Sequence, residues 1–387
     1  MPTIAHLTSV HPRTDPRIFL KQCVSLARAG YDVHLIVADG QGPEVRHGVN
    51  VHDVGCPAGR WDRMQTTPGR LLSKAREIDA SLCHLHDPEL LTIVRPLHRL
   101  GKQVIFDSHE DVPLQLLSKP YLPGLAARAL SVGFAHYQRW VGRHLDAIVA
   151  ATPHIRDTFR DLEVECVTVH NYPLPDEFPA GEPDWSRKNN EVCYIGGITR
   201  IRGIREMLEA MALTRSGARL QLAGRFSESD TRAEAVGHPG WPHVDDHGWL
   251  DRAGVQSALQ RAVAGLVLLH PTPNHIESLP TKLFEYMAAG IPVIASDFPL
   301  WREIVLGNRC GFCVDPMDPA AIARAIDFCV LNRDQAREMG ANGRRAVWEH
   351  YNWLNEEKSL RHLYANLLRV DRPDTSALHR QAGAPYE

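Results

Sequence analysis

LVLLHPTPNHIESLPTKLFEYMAAGIPVIASDFPLW, residues 266–301, is the stretch from which the rest of this chain can be read. Residues 266–269 form an apolar run of the length of a buried parallel strand. A polar, proline-containing loop follows over 270–276. Ser278 is then placed to cap a helix, Pro280 suits its first turn, and 282–289 are good helix formers. Gly290 and Pro292 stop the helix where a C-terminal signal belongs, and 291–296 supply the next strand. The unit is strand, loop, helix, strand. Its loop opens at the C-terminal end of a strand, where open α/β sheets bind ligands.

Two carboxylates mark this unit, Glu277 before the helix and Glu285 eight residues on. If every step between them were helical they would stand about 12 Å apart on roughly one side. That is wider than a glycosidase acid/base pair, and it suits contacts to two parts of an extended ligand. The amides of Leu279 to Lys282 and the helix dipole favour an anion between them, and Lys282 adds a full charge. Spacing alone favours a solvated amphipathic helix with two ordinary surface acids. The whole string says more. ESLPTKLFEYMAAGIPVIAS, residues 277–296, resembles the Glu-x7-Glu donor-site motif of retaining glycosyltransferases of family 4. These have the GT-B fold, two Rossmann-like doubly wound α/β domains facing across a cleft. The resemblance implies that Glu277 contacts the donor sugar and Glu285 the ribose. It places the diphosphate on Ser278, Leu279, Pro280, Thr281 and Lys282.

At 387 residues the chain has room for two or three domains with cores of their own. Hydrophobic residues make up 44% and mean hydropathy is −0.26, a globular composition. A net charge of −3 gives no bulk argument for a nucleic-acid partner. The cysteines are scattered, and Cys310-x-x-Cys313 has no second pair at zinc-ribbon distance. Reduced thiols in a cytoplasmic protein are expected. The N-terminus lacks a signal-peptide pattern, and no run approaches the ~20 apolar residues of a membrane span. Membrane contact is therefore expected only as a peripheral one, on the inner face of the cytoplasmic membrane.

Strands are expected at 3–10, 31–38, 81–85, 102–107, 146–151 and 165–169, with a helix over 17–29. The alternation predicts a parallel, doubly wound sheet. The first turn, SVHPRTDPR, lacks the G-x-G-x-x-G fingerprint. It carries His11, Arg13, Asp15 and Arg17 at the sheet's C-terminal edge, which makes His11, Asp15 and Arg17 acceptor-side candidates. A capped, solvated turn is the plainer reading. Relatives usually carry glycines here, and one bacterial polysaccharide branch is similar to this HP-x-x-D-x-R version. Polar clusters also end the strands at His86-Asp87-Pro88-Glu89 and Ser108-His109-Glu110-Asp111. A metal reading of His84, His86 and His109 is not adopted, because no i, i+4 histidine pair flanks an acid. D-x-D, the metal–diphosphate signature of the other common glycosyltransferase fold, is also absent. By resemblance, His109 in FDSHE matches the family's histidine beside the sugar's reactive centre, a catalytic candidate with Glu277. The stretch 119–149, with Lys119, Arg128, Arg139 and Arg143 among Phe134, Tyr137 and Trp140, fits either a membrane-facing helix or a core helix with solvated arginines. We expect the latter.

Residues 170–190 are rich in proline and acids and read as an interdomain linker. The expected domains are 1–172 on the acceptor side and 191–347 on the donor side, with 173–190 between them. The second domain restarts with a strand at 191–195 and the loop GGITRIRG, 196–203. In the family this loop carries Gly-Arg followed by Lys-Gly, two cations on the donor diphosphate. Here Gly196-Gly197 lacks the first cation, and Arg202-Gly203 has Arg for Lys, whose planar fork also suits phosphate. Arg200 is the candidate replacement. A last helix, 348–368, is expected to cross back to the first domain, and 371–387 to fray.

The resemblance implies a metal-independent, retaining glycosyltransferase that needs no cofactor. It would move a sugar from a UDP- or GDP-sugar to a hydroxyl acceptor, a glycan or lipid-linked saccharide in polysaccharide, O-antigen or capsule biosynthesis. Two other classes remain: a nucleotide-sugar epimerase of the same architecture, and a non-catalytic donor-binding subunit, suggested by the missing cation after Gly196.

Overall fold

Short apolar runs between helices become parallel strands, because a strand covered on both faces must be apolar throughout. The computed structural model describes residues 1–117, 123–178 and 181–368. The expected tail, 371–387, and Lys119 lie outside the described residues. The chain divides into two compact units, Met1–Asn171 with the chain from Trp353 onward, and Tyr172–Asn352.

The first unit holds β1 (Thr3–Leu7), β2 (Asp32–Val37), β3 (Glu44–Arg46), β4 (Val49–Asp53), β5 (Leu82–Leu85), β6 (Gln103–Ser108), β7 (Ala147–Ala150) and β8 (Glu165–Thr168). Their order in the sheet is β3-β4-β2-β1-β5-β6-β7-β8, and every pair is parallel except β3 with β4. The β3–β4 hairpin was not expected. Its strands are polar and one-sided, and its signal is the two-residue turn His47-Gly48, both residues with positive φ (50° and 78°). The second unit holds β9 (Glu191–Ile195), β10 (Arg219–Ala223), β11 (Val244–Gly248), β12 (Ala264–Val267), β13 (Val293–Ser296) and β14 (Gly311–Val314), in the all-parallel order β11-β10-β9-β12-β13-β14. This is the expected class, two doubly wound α/β domains.

In each sheet the chain winds one way and then the other, so one strand pair marks a reversal. It is β1/β5 in the first sheet and β9/β12 in the second. Loops leaving the carboxyl ends of such a pair are the ligand-binding position of open α/β sheets. The candidate loops after β1, β5, β9 and β12 all leave these pairs.

Two stretches differ from expectation. The segment read as a linker folds onto the second unit, with Tyr172 and Phe178 buried in its core beside Phe284. Its prolines suggested a spacer, but its aromatic side chains gain more from burial than from solvent. The last helix also starts later than expected. Arg333–Glu349 ends in the second unit, and Trp353–Leu368 begins afresh on the first. There Trp353 Nε1 donates to Ser25 Oγ at 2.8 Å, and Trp353, Leu360, Leu363 and Tyr364 are fully buried. The helix Gly124–Gly142 exposes Leu125, Leu130, Val132 and Trp140, more apolar surface than a core helix would leave. Among the described residues no helix is long and apolar enough to cross a membrane.

Candidate active site

In the second unit the loop after β9 and the helix after β12 build one constellation. The helix runs Thr281–Ala288, and its N-cap is Pro280 with no side-chain cap. Ser278 does not cap it. Its hydroxyl donates instead to His275 O at 2.8 Å, closing the short turn Pro273–Ile276. Glu277 stands at the end of that turn, with φ −93°. The steps from Glu277 to Glu285 are therefore not all helical, and the 12 Å spacing of a continuous helix does not apply. Residues Leu279 and Pro280 join the two turns, Pro280 with extended backbone. The joint is braced by the fully buried Trp301, whose Nε1 donates to Ser278 O at 2.7 Å. At the far end, Gly290 N and Ile291 N bond Met287 O and Tyr286 O, a Schellman closure. Glu285 lies half-buried on the helix.

Lys282 and Arg202 meet at Gly196-Gly197. The Lys282 ammonium is buried, sits 3.7 Å from the centroid of the Tyr194 ring, and has no hydrogen-bond partner among the described residues. Arg202 Nη1 is 3.4 Å from Gly197 O, which also accepts from the Tyr194 hydroxyl at 2.7 Å. A Cβ at Gly197 would stand 3.0 Å from Arg202 Nη1, and one at Gly196 would stand 3.1 Å from Lys282 Nζ. Glycine lets both cations close on the backbone. Gly203 begins the next helix at φ +74°, where a Cβ would fall 2.2 Å from Leu268 O. Burial, and then the Arg202 charge, lower the Lys282 pKa to about 7, against a smaller opposing pull from Glu285. Among the described residues neither Lys282 nor Arg202 makes a salt bridge. Arg200 is placed otherwise: its guanidinium reaches Asp230 at 2.8 Å and Glu234 at 2.7 Å. Two carboxylates on the neighbouring helix outbid a loop of carbonyls for an exposed guanidinium.

In the first unit the loop after β1 is tied to the loop after β5. Asp87 Oδ2 accepts from Ser9 N at 2.6 Å and Thr8 Oγ1 at 2.8 Å. Asp15 caps the first helix, accepting from Arg17 N and Ile18 N at 2.9 Å. That helix is π-wound over Pro16–Cys23, a form that often marks functional sites. Asp15 also pairs with His11 Nδ1 at 3.2 Å, while His11 Nε2 lies 3.4 Å from Asp87 Oδ1. Burial lowers the His11 pKa, but the Asp15 hydrogen bond and the Asp87 charge outweigh it and raise it. Arg17 is buried and committed: its fork grips Asp107 at 2.9 and 2.7 Å, and Nη1 donates to Val169 O at 3.0 Å. It is a structural ion pair rather than a free acceptor contact. Burial raises the Asp107 pKa, yet Arg17 and His86 hold it well below the usual carboxylate range. The turn is capped, as the plainer reading had it, but much of it is buried rather than solvated. His109 lies half-buried, its ring edge-on to His11 with centroids 5.1 Å apart and Nδ1 3.3 Å from Asp107 O.

Several contributing residues were not singled out from sequence: Tyr194, Trp301, Asp87 and His6. Only Asp87 carried a signal, its place in a polar cluster at a strand end. His84 and His86 do converge on a third histidine, but it is His6 rather than His109.

The family described as "Glycosyl transferase 4-like domain" matches residues 17–174, and "Glycosyl transferases group 1" matches 180–346. Glycogen synthase of Mycobacterium tuberculosis is 22% identical over 64% of this chain and 61% of its own length. Phosphatidyl-myo-inositol mannosyltransferase of Mycobacterium leprae is 32% identical over 45% of each. The chain thus spans less than two thirds of the length of these relatives. Among solved structures, sucrose-phosphate synthase from Thermosynechococcus elongatus shares the fold with a TM-score of 0.74 at 19% identity, over 96% of this chain and 100% of that one. HepE of Anabaena, in complex with UDP and glucose, does so at 0.73 and 14%, over 95% and 100%. With two glycosyltransferase regions following one another and the fold shared along nearly the whole chain, the protein belongs to the family 4 type of glycosyltransferases with the GT-B fold.

Proposed function

We propose that the protein transfers a sugar from a nucleotide-diphosphate sugar to a hydroxyl, with retention at the anomeric carbon and without a metal ion. The observation that carries this reading is the pair of cations without salt bridges, Lys282 and Arg202, closing on Gly196-Gly197 at the β9/β12 reversal. A leaving diphosphate needs its charge stabilised as the sugar departs. Preorganised donors that need not reorient supply that stabilisation in a site sheltered from water. The first turn of Thr281–Ala288 adds helix-end amides. Glu277 orients the sugar through a hydroxyl, and Glu285 binds the ribose diol. By the family resemblance His109 is assigned to the reacting sugar, and His11 with its partner Asp15 to the acceptor.

The relatives include proteins named for mannosyl transfer to a phosphatidylinositol and for glycogen synthesis. A lipid-linked saccharide is the proposed acceptor, UDP or GDP the proposed nucleotide, and assembly of a surface polysaccharide the proposed pathway. Exposed Leu125, Leu130 and Val132 on Gly124–Gly142 support presentation of that acceptor at a membrane surface.

The test is nucleotide release from UDP-, GDP- and ADP-sugars by the wild type and by Glu277→Ala, with and without membrane extract as the acceptor source. Release from one donor that needs the extract and is lost in the variant is the expected result. Conversion of the donor without any acceptor would make the protein an epimerase. Donor binding without turnover under every condition would make it a binding subunit.

A further inference from the structure

Beneath the loops of the first unit lies a polar cluster that sugar transfer does not use. His6 on β1 and His84 on β5 are register partners, so their side chains leave the sheet on the same side. His86 follows two residues after His84. All three are fully buried, with ring centroids 4.9, 5.1 and 4.6 Å apart. One ring nitrogen from each can be chosen so that all lie within 4.8 Å of one another. The Tyr364 hydroxyl covers the cluster from the last helix, and Asp107 closes its other end.

The hydrogen bonds here are directional enough to assign. Asp107 takes the Arg17 fork on both of its oxygens, as a carboxylate does, so His86 Nδ1 donates to it across 3.1 Å. The lone pair on His86 Nε2 then takes the His6 Nδ1 proton at 2.9 Å. His6 Nε2 in turn accepts from the Tyr364 hydroxyl at 3.1 Å, and that oxygen accepts from His84 Nδ1 at 2.8 Å. The chain of donors ends on a bare lone pair at His84 Nε2, buried and without a partner among the described residues. Leaving such an acceptor unsatisfied in a sheltered interior is costly.

One shift opens three lone pairs to an ion, whose binding would satisfy them. If the His6 proton sits on Nε2 rather than Nδ1, and the Tyr364 hydroxyl turns its own proton aside, the lone pairs of His6 Nδ1, His84 Nε2 and His86 Nε2 are all available. No proton is gained or lost. The outer N–H groups then donate to Tyr364 O at 3.1 and 2.8 Å and to Asp107 Oδ2 at 3.1 Å. An outer acceptor on every ligand is the arrangement that orients metal-binding imidazoles. His6 Nδ1 and His86 Nε2, 2.9 Å apart, need move only slightly to share an ion bound at ~2.0–2.1 Å.

We propose that His6, His84 and His86 hold a zinc ion, at a site within the first unit that joins β1, β5 and the helix Trp353–Leu368. Three imidazole nitrogens suit zinc, with the fourth position of its tetrahedron open to a water, and Asp107 places negative charge one ring away.

The full chain, stripped with a chelator, is titrated with zinc against a chromophoric indicator, and separately loaded with cobalt. The expected result is one tight equivalent, and cobalt bands of a low-coordinate nitrogen site with no thiolate charge transfer. His84→Gln and His6→Gln abolish that equivalent with circular dichroism unchanged. Tyr364→Phe, which removes the outer acceptor of two rings, weakens binding about 10- to 100-fold. The doubly substituted His34→Gln/His52→Gln chain, which alters the other close histidine pair (2.8 Å), keeps it. Absence of a tight equivalent in the wild type, or its persistence in His84→Gln, overturns the proposal. If the histidine variants fail to fold, a wild-type cobalt spectrum with thiolate charge transfer or octahedral bands overturns it instead.

Discussion

Lys282 is an ammonium taken out of water without a carboxylate to meet it, and its pKa, lowered to about 7, records that cost. The sign of the consequence follows directly. Below that pKa the lysine is charged and favours an anion; above it the charge is lost. A bound diphosphate stabilises the charged form, so binding draws a proton from solvent. UDP affinity is therefore expected to fall as pH rises from about 6 to about 8. Calorimetry in buffers of different ionisation enthalpy should detect the proton uptake, and Lys282→Met should flatten the profile. A pH-independent wild type would remove Lys282 from the site. The arginines make a sharper contrast. Loss of charge-assisted hydrogen bonds worth about 1.5–3 kcal/mol should weaken donor binding roughly tenfold to a hundredfold in Arg202→Ala. Arg200→Ala, whose guanidinium is already held by Asp230 and Glu234, should change it less than about threefold. Equal losses in both variants would mean that Arg200 leaves its acids when the donor arrives.

The elements around β12 show how a local string becomes a site. Apolar residues, proline and glycine punctuate 266–301 in the order of strand, loop, helix and strand, and all four elements form within a few residues of their expected bounds. The joint was harder to read. Ser278 looks like a cap by residue type, yet the chain at 277–280 makes an extra turn, and the hydroxyl is used there. The neighbouring loop depends on Gly203, whose φ of +74° and 2.2 Å approach to Leu268 O leave no room for a side chain. Gly203→Ala should cost about 1–3 kcal/mol and displace Arg202, lowering both the melting temperature and donor affinity. A variant with unchanged melting would show that this loop can relax. The β3–β4 hairpin makes the complementary point: its only strong signal was the turn His47-Gly48, because one-sided polar strands carry no apolar period.

At the scale of the whole molecule, the chain leaves the first unit at Asn171 and returns to it at Trp353. Trp353, Leu360, Leu363 and Tyr364 are fully buried there. Emptying a large buried site costs about 3–5 kcal/mol, against about 5–15 kcal/mol for a whole domain. A chain ended at Asn352 should therefore lose the calorimetric transition of the first unit and keep that of the second. Two intact transitions would show that the last helix is dispensable. Local strings were enough for the doubly wound class, the rhythm of strands and the donor-site motif, because each depends on residues a few positions apart. They could not say which charges are spent on one another. Arg17 with Asp107, Arg200 with Glu234, and His6 with His86 are 90, 34 and 80 residues apart in sequence. The fold brings such distant groups together, and a neighbouring charge or hydrogen bond then outweighs residue type in setting what a side chain does. Among the described residues that pairing left Lys282 and Arg202 without a salt bridge, took Arg17 and Arg200 out of play, and brought three buried histidines together.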